Sequence, residues 1–266
     1  IVGTELDVFP LGLGGNVFGM TADAAASEAV LDAFVEGGGN MIDTADSYSA
    51  WVPGNRGGES ETILGEWIRR RGNRHQVIVA TKVGAHPELK GLRPETIARA
   101  ADASLGRLQT DFIDLYYAHH DDEEVPIADI AGAFDRLVEA GKVRYVAISN
   151  LSPERIEGWL RAAREDGLAR PVALQPEYNL VSRRTFEEEY APLAEAHDLS
   201  VFPFFGLASG FLTGKYRTEE DLEGRARGQA VAKYLTPDGL RVLAALDRIA
   251  AEREAALATI ALAWLL

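Results

Sequence analysis

Short apolar runs and amphipathic stretches alternate along this chain at a regular spacing. The apolar runs begin near residues 8, 40, 76, 111, 142, 171 and 199. Successive runs lie about 28 to 36 residues apart, and each gap carries one stretch with apolar residues at helical spacing. Strands that alternate with helices in this way predict a sheet of parallel strands joined by crossover helices.

The predicted helices carry start and stop signals. Three glycines at 37–39 end the first helix, and Ser152 followed by Pro153 is typical of an N-cap and a first helical residue. The predicted spans are 24–36, 59–71, a third from residue 93, 127–140, a fifth from residue 152, 183–197 and 255–266.

Seven such units favour a (β/α)8 TIM barrel over an open doubly wound sheet. The glycine-rich stretch 11–15 lacks the third glycine of a dinucleotide-binding fingerprint, so it supports a Rossmann fold only weakly. No strand follows the last predicted helix. The sequence therefore predicts a single barrel domain over residues 1–266 in which seven βα units are visible and the eighth is missing, through truncation, disorder or design.

Composition and charge narrow the function. The net charge of −14 argues against nucleic acid and anionic membranes as partners. The absence of cysteine excludes disulfides, thiolate metal sites and cysteine nucleophiles, and five scattered histidines do not predict a metal site. No signal peptide or membrane-spanning run is apparent, so a cytoplasmic location is expected. The sequence does not determine the oligomeric state.

Polar side chains stand where the predicted strands end. Asp43 closes a strand that begins with buried residues, Tyr48 follows just past its end, and Lys82 closes the next strand. A buried carboxylate needs a cationic partner, and Lys82 is the best candidate. The carboxyl ends of barrel strands are where functional groups gather. The later strands end in His119 and His120, Ser149 and Asn150, Gln175, and Phe204 and Phe205.

Each of these residues also has a purely structural interpretation. Asp43 and Lys82 could form only a buried ion pair, and Tyr48 or His119 alone could be a rim or loop residue. Asn150 and Gln175 could be strand-end caps. Phe18, Trp51 and Phe205 could line an apolar substrate pocket or serve packing alone. The shared position of the polar groups favours the functional interpretation.

Several segments resemble the aldo-keto reductase family, and the match runs in order over essentially the whole chain. The similarity is greatest to a bacterial branch that includes relatives of the potassium-channel β-subunits. The segments that carry it are 42–48, 81–84, 113–119, 141–145, 148–150, 174–179 and 207–216.

By this resemblance Asp43, Tyr48, Lys82 and His119 occupy the positions of a catalytic tetrad. Tyr48 is then a general acid for a carbonyl that accepts hydride from NADPH. Lys82 is expected to lower the pKa of Tyr48 toward neutrality, Asp43 to pair with Lys82, and His119 to orient the carbonyl.

The resemblance also assigns residues around the tetrad. The residues implied to bind cofactor are Gly14, Gly15, Asn16, Asp43, Ser149, Asn150, Gln175, Phe204, Phe205, Leu207, Ala208, Gly210, Lys215 and Arg225. The expected substrate pocket consists of Phe18, Tyr48, Trp51, His119 and His120.

The sequence departs from the family pattern in two places. Phe204-Phe205-Gly206 stands where Tyr-Ser-Pro is common, so the ring expected to stack on the nicotinamide lacks a hydroxyl. The segment that binds the 2′-phosphate in the family follows the eighth strand, so NADPH over NADH is implied only by the resemblance.

Three other functions compete with carbonyl reduction. One is an NADP(H)-binding redox sensor or regulatory subunit with negligible turnover. Another is an aldolase that forms a Schiff base on Lys82, which protonation by Asp43 opposes. The last is an inactive truncated or engineered scaffold.

Overall fold

The fold is built on one seven-stranded sheet. A computed structural model describes residues 1–225 and 227–266. In chain order the strands are β1 (Leu13–Gly14), β2 (Met41–Asp43), β3 (Ile78–Val83), β4 (Ala85–His86), β5 (Leu89–Lys90), β6 (Ile113–Ala118), β7 (Val143–Ser149), β8 (Pro171–Gln175) and β9 (Ser200–Val201). The sheet has the order β1-β2-β3-β6-β7-β8-β9, and β4 pairs with β5 in a separate two-stranded hairpin.

The pairing of the first five sheet strands is parallel and in register. Gly14 pairs with Asp43, Asp43 with Ala80, and Lys82 with Tyr117. β6 pairs with β7 in the same sense. Parallel pairing brings the carboxyl ends of these strands to one edge, and β3 and β6 are buried along their whole length.

Helices occupy the intervals between and after the strands, and those up to residue 166 do so as the sequence predicts. They are α1 (Ala24–Glu36), α2 (Glu59–Arg71), α3 (Pro94–Leu108), α4 (Ile127–Glu139), α5 (Pro153–Asp166), α6 (Ala191–Ala196), α7 (Gly228–Ala232), α8 (Pro237–Arg253) and α9 (Leu257–Ala263). The predicted N-cap of α5 is confirmed, because the Ser152 side chain accepts a hydrogen bond from the Arg155 amide.

The structure corrects the predicted elements in three places. The first strand lies at Leu13–Gly14 rather than near residue 8, where Pro10 interrupts the run and the side chains of Phe9 and Leu11 are exposed. The predicted helix 183–197 is replaced in part by a π-helical segment at Phe186–Tyr190. The longest helix, α8, was not predicted, although Thr236 and Pro237 at its start are typical N-terminal signals.

The contacts group the chain into two compact units. The first comprises 1–174 and 198–200, and the second comprises 175–197 and 201–266. The first contains most of the sheet and α1 to α5. The second has its own core of nine buried residues, namely Ala208, Phe211, Leu212, Tyr216, Val231, Tyr234, Leu243, Leu246 and Ala261.

The parallel α/β architecture is therefore confirmed, while the closed eight-fold barrel and the single domain stay predictions. In the parts of the chain that the structure describes, no helix is both long enough and apolar enough to cross a bilayer.

Candidate active site

Three of the predicted tetrad side chains meet at the carboxyl ends of β2 and β3. The ammonium of Lys82 donates hydrogen bonds to Asp43 Oδ2 at 2.6 Å, to the Thr44 carbonyl at 2.8 Å and to the Tyr48 hydroxyl at 2.8 Å. The Tyr48 hydroxyl lies 3.4 Å from Asp43 Oδ2. The Lys82 side chain is fully buried and that of Asp43 is 16% exposed. All three donors of the ammonium are therefore satisfied.

The segment between Asp43 and Tyr48 is held by the neighbouring strand. The Thr44 amide donates to the Ala80 carbonyl at 2.8 Å, and the Asp46 amide donates to the Lys82 carbonyl at 3.2 Å. Residues 44–47 are buried. This backbone pairing continues the β2–β3 ladder past the end of β2 and so fixes where Tyr48 emerges.

Electrostatics keep Lys82 charged. Burial alone would lower the pKa of Lys82, but the Asp43 carboxylate and the Tyr48 hydroxyl outweigh it, so the pKa is raised above 10.5. A permanently protonated amine is a poor nucleophile. The environment of Lys82 therefore disfavours Schiff-base chemistry.

The expectation that Tyr48 titrates near neutrality is wrong for this arrangement. Burial raises the pKa of Tyr48 above 10, and Asp43 adds to the rise. Lys82 lowers the pKa as expected, but it does not overcome the loss of solvation. The Asp43 carboxylate, which binds the same ammonium, partly offsets the lowering of the Tyr48 pKa by Lys82.

His119 follows β6 directly and completes the group. Its ring centroid lies 6.0 Å from that of Tyr48, edge to face, and its amide donates to the Val83 carbonyl at 3.0 Å. Burial and the nearby Lys82 charge lower the pKa of His119 from 6.5 to about 2. The imidazole is therefore neutral, and its buried Nδ1 has no hydrogen-bond partner among the described residues.

Residues predicted to bind cofactor surround this group within the first unit. Asn150 donates to the His119 carbonyl at 2.9 Å and to Ser149 Oγ at 3.0 Å. On the opposite side, the Gly15 amide donates to the Asp43 carbonyl at 2.7 Å. Gly14 pairs with Asp43, and Asn16 follows two positions later.

The predicted pocket residues differ in accessibility. Trp51 is 59% exposed, its ring lies 6.4 Å from that of Tyr48, and its indole nitrogen contacts Met20 Sδ at 3.0 Å. His120 is exposed and stacks on His119 at 4.6 Å. Phe18 is fully buried. Trp51 and His120 can therefore meet a ligand from solvent, whereas Phe18 packs in the interior.

The remaining predicted cofactor residues belong to the second unit. Phe204 and Phe205 pack edge to face at 5.1 Å. The next turn has left-handed backbone at Ala208, Ser209 and Gly210. A Cβ on Gly210 would lie 3.6 Å from the ammonium of Lys215, which is exposed. The others are Gln175, which is buried at the end of β8, Leu207, and Arg225, which is exposed.

Sequence reasoning missed a buried polar layer beside the tetrad. Glu61 accepts from Thr81 Oγ1 and from Arg107 Nε, both at 2.6 Å, and its side chain is fully buried. Asp46 is also fully buried. The sequence did indicate that Glu61 is buried, because it precedes the buried Leu64 and Ile68 by three and seven positions on one face of α2.

Comparisons with known proteins complete the description. A sequence model of the Aldo/keto reductase family matches residues 10–266. A probable voltage-gated potassium channel subunit beta from Arabidopsis thaliana is 33% identical, over 97% of this chain and 80% of the relative. Norsolorinic acid reductase B from Aspergillus parasiticus is 32% identical, over 98% of this chain and 71% of the relative. The aldo-keto reductase yakc [NADP(+)] from Schizosaccharomyces pombe is 33% identical, over 91% and 70%.

Proposed function

The chain belongs to the aldo/keto reductase family, and we propose that it reduces aldehydes or ketones to alcohols with a hydride from NADPH on a (β/α)8 barrel scaffold. The observation that carries the proposal is the buried ammonium of Lys82, 2.8 Å from the Tyr48 hydroxyl and 2.6 Å from Asp43. A phenol beside a permanent cation is suited to give a proton to an alkoxide, because the tyrosinate that remains is stabilised.

Each tetrad residue has a distinct part in this proposal. Tyr48 holds the proton on its hydroxyl and releases it to the carbonyl oxygen. Lys82 stabilises the resulting tyrosinate, and Asp43 holds Lys82 charged and in place. We assign the single ring proton of neutral His119 to Nε2, from which it can be donated to the carbonyl.

The residues present suit a nicotinamide dinucleotide, which supplies the hydride when bound. Asn150 uses its amide protons on His119 and Ser149, which leaves its oxygen as an acceptor for a carboxamide. Gln175 and Ser149 are further donors or acceptors of the same kind, and Gly14, Gly15 and Asn16 lie beside Asp43.

A second set of residues suits the diphosphate and the ring. The left-handed turn 208–210 lies beside the exposed ammonium of Lys215, a cation suited to phosphate oxygens. We assign Leu207 to the same loop and Arg225 to charge compensation. Phe204 is assigned to stacking on the nicotinamide, with Phe205 as its packing partner.

The substrate class follows from the exposed neighbours of Tyr48. Trp51 and His120 present a ring surface to solvent, which suits an apolar carbonyl compound. With its net charge of −14, the chain favours a small molecule over nucleic acid or anionic membrane as its partner.

The test is carbonyl reduction by purified Tyr48→Phe across a panel of aldehydes and ketones, with NADPH and NADH compared. We expect kcat to fall by about a hundredfold or more, in the range of lost general-acid catalysis. Cofactor binding, followed by fluorescence, is expected to persist. Tyr145→Phe is the matched control, because Tyr145 lies in the first half of β7, before Ser149. Unchanged kcat in Tyr48→Phe would refute the proposal.

A second function is favoured by one comparison and one property of the site. The relative named as a channel β-subunit is as similar as the named reductases, and the raised pKa of Tyr48 makes it a weak acid as it stands. Under this alternative the chain binds NADP(H) as a sensor and turns over negligibly. Multiple turnovers with simple aldehydes would exclude it.

A further inference from the structure

A second carboxyl group lies buried behind the tetrad and has no part in the chemistry described so far. Asp46 is fully buried in the segment between Asp43 and Tyr48. Within the part of the chain that the structure describes, neither of its carboxyl oxygens makes a hydrogen bond. A buried carboxylate without partners is costly, so this group needs either a cation or a proton.

The cation that most favours an ionised Asp46, Arg107, is already hydrogen-bonded to another acid. Arg107 donates to Glu61 Oε2 at 2.6 Å, and Thr81 donates to the other oxygen of Glu61 at 2.6 Å. The side chain of Arg107 reaches Glu61 across Gly58, where a Cβ would stand 2.4 Å from the Arg107 side chain. Glu61 therefore accepts the hydrogen bond from the Arg107 guanidinium, and Asp46 receives none from the described residues.

Charges on three elements act on Asp46. Glu61 on α2 disfavours its ionised form, whereas Arg107 on α3, the Gly84 amide and, most weakly, Lys82 on β3 favour it. Tyr116 on β6 is un-ionised and fully buried. His86 on β4 is also buried, and burial lowers its pKa, so it is neutral at physiological pH. Burial is the largest influence, and together these raise the pKa of Asp46 from 3.8 to about 8.

Asp46 is coupled to the tetrad through Lys82. Its amide donates to the Lys82 carbonyl at 3.2 Å, and it lies two residues before Tyr48. A negative charge on Asp46 would join that of Asp43 near the same ammonium. The tyrosinate formed when Tyr48 gives up its proton would then face two carboxylates and one cation.

We propose that Asp46 is the neutral acid of this cluster and acts as a positioning residue for the tetrad, because its uncharged state spares Tyr48 a second negative charge. The mechanistic part rests on the proposed function of Tyr48. When Asp46 loses its proton, Tyr48 becomes a weaker acid. The tetrad then loses activity on the alkaline side although none of its own four members has changed charge.

The first test addresses the proton itself. The infrared carbonyl stretch of a protonated carboxylic acid is recorded against pH for the wild-type protein, Asp46→Asn and Asp166→Asn. Asp166 is an exposed aspartate at the end of α5 and controls for loss of one charge. We expect a band at neutral pH that disappears with a midpoint near 8, persists in Asp166→Asn and is missing in Asp46→Asn. A band unaffected by Asp46→Asn would overturn the proposal.

The second test addresses the coupling without requiring turnover. The titration of Tyr48 is read as the tyrosinate absorbance that Tyr48→Phe removes, in the wild-type and Asp46→Asn backgrounds. We expect Asp46→Asn to shift this titration down by about one pKa unit, a tenfold change in the ionisation constant, because a neighbouring charge is gone. Superimposable titrations would overturn the role of Asp46 as a positioning residue, whatever the protein catalyses.

The third measurement separates the two proposals. In Asp46→Asn the alkaline decline of kcat is expected to be about fivefold smaller than in the wild-type protein, with KM for the carbonyl unchanged. If no carbonyl is reduced by any form, the proposed function fails, while the infrared and absorbance titrations still decide the state of Asp46. If kcat profiles coincide in active proteins, Asp46 is only structural.

Discussion

The buried ion pair of Asp43 and Lys82 allows a quantitative prediction about stability. Asp43→Asn keeps the shape of the side chain and removes its charge, so the fully buried ammonium is left with neutral acceptors, which include the Thr44 carbonyl and Tyr48. Removal of one partner from a buried pair costs about 3 kcal/mol or more. Lys82→Met leaves a carboxylate that is 16% exposed and can be hydrated, so we expect a loss of about 1 kcal/mol.

The double variant distinguishes a buried-charge effect from two independent losses. Without either charge, the site contains only groups of similar shape, so Asp43→Asn with Lys82→Met is expected within about 2 kcal/mol of the wild-type protein. The two single losses should therefore not add, and the interaction free energy is expected to be about 2 kcal/mol in favour of the double variant. Additive losses would refute the reasoning.

The assay is urea unfolding followed by both circular dichroism and tryptophan fluorescence, and it is accepted where the two probes coincide. The pKa of Lys82 is raised in the folded state, so the stability it contributes is complete below its unfolded value of 10.5 and is lost as pH rises through the folded value. The difference in the free energy of unfolding between the wild-type protein and Asp43→Asn is accordingly expected to be constant from about pH 6 to pH 9.

Two further predictions concern the polar layer. The folded pKa of Asp46, about 8 against 3.8, means that folding stability from this group is complete below pH 3.8 and declines up to pH 8. Asp46→Asn should therefore gain stability over the wild-type protein in that window, by at most about 6 kcal/mol, measured by urea unfolding. Gly58→Ala should cost more than Gly54→Ala by about 1 kcal/mol or more, because both have positive φ but only Gly58 faces Arg107, and equal thermal shifts would contradict this.

The helices of the first unit could be predicted well because their signals are local. Residues 59–71 and the start of α5 at Pro153 follow from periodicity and capping alone. β1 and α8 were misplaced or missed for different reasons. The run around Val8 has the apolar character of a strand but is interrupted by Pro10, and α8 begins after a loop that does not follow the βα spacing.

The proximity of Asp43, Tyr48 and Lys82 was also predictable, because parallel strands in register bring their carboxyl ends to one edge. The state of each group was not. Loss of solvation on burial raises the pKa of Tyr48, although Lys82 alone would lower it. How much solvation is lost depends on every group that packs around the side chain in space. The same holds for the neutral ring of His119.

The sequence by itself determined the alternation of strands and helices up to α5, the family and the identity of the polar residues at the strand ends, since these depend on residues near one another in the chain. Only the tertiary structure decided which acid shares which cation. Arg107 lies 46 positions from Glu61 along the chain. Because Arg107 donates its hydrogen bond to Glu61, Asp46 has no cationic hydrogen-bond partner among the described residues. Charges in a low-dielectric interior interact across space, and no pattern along the chain records those distances.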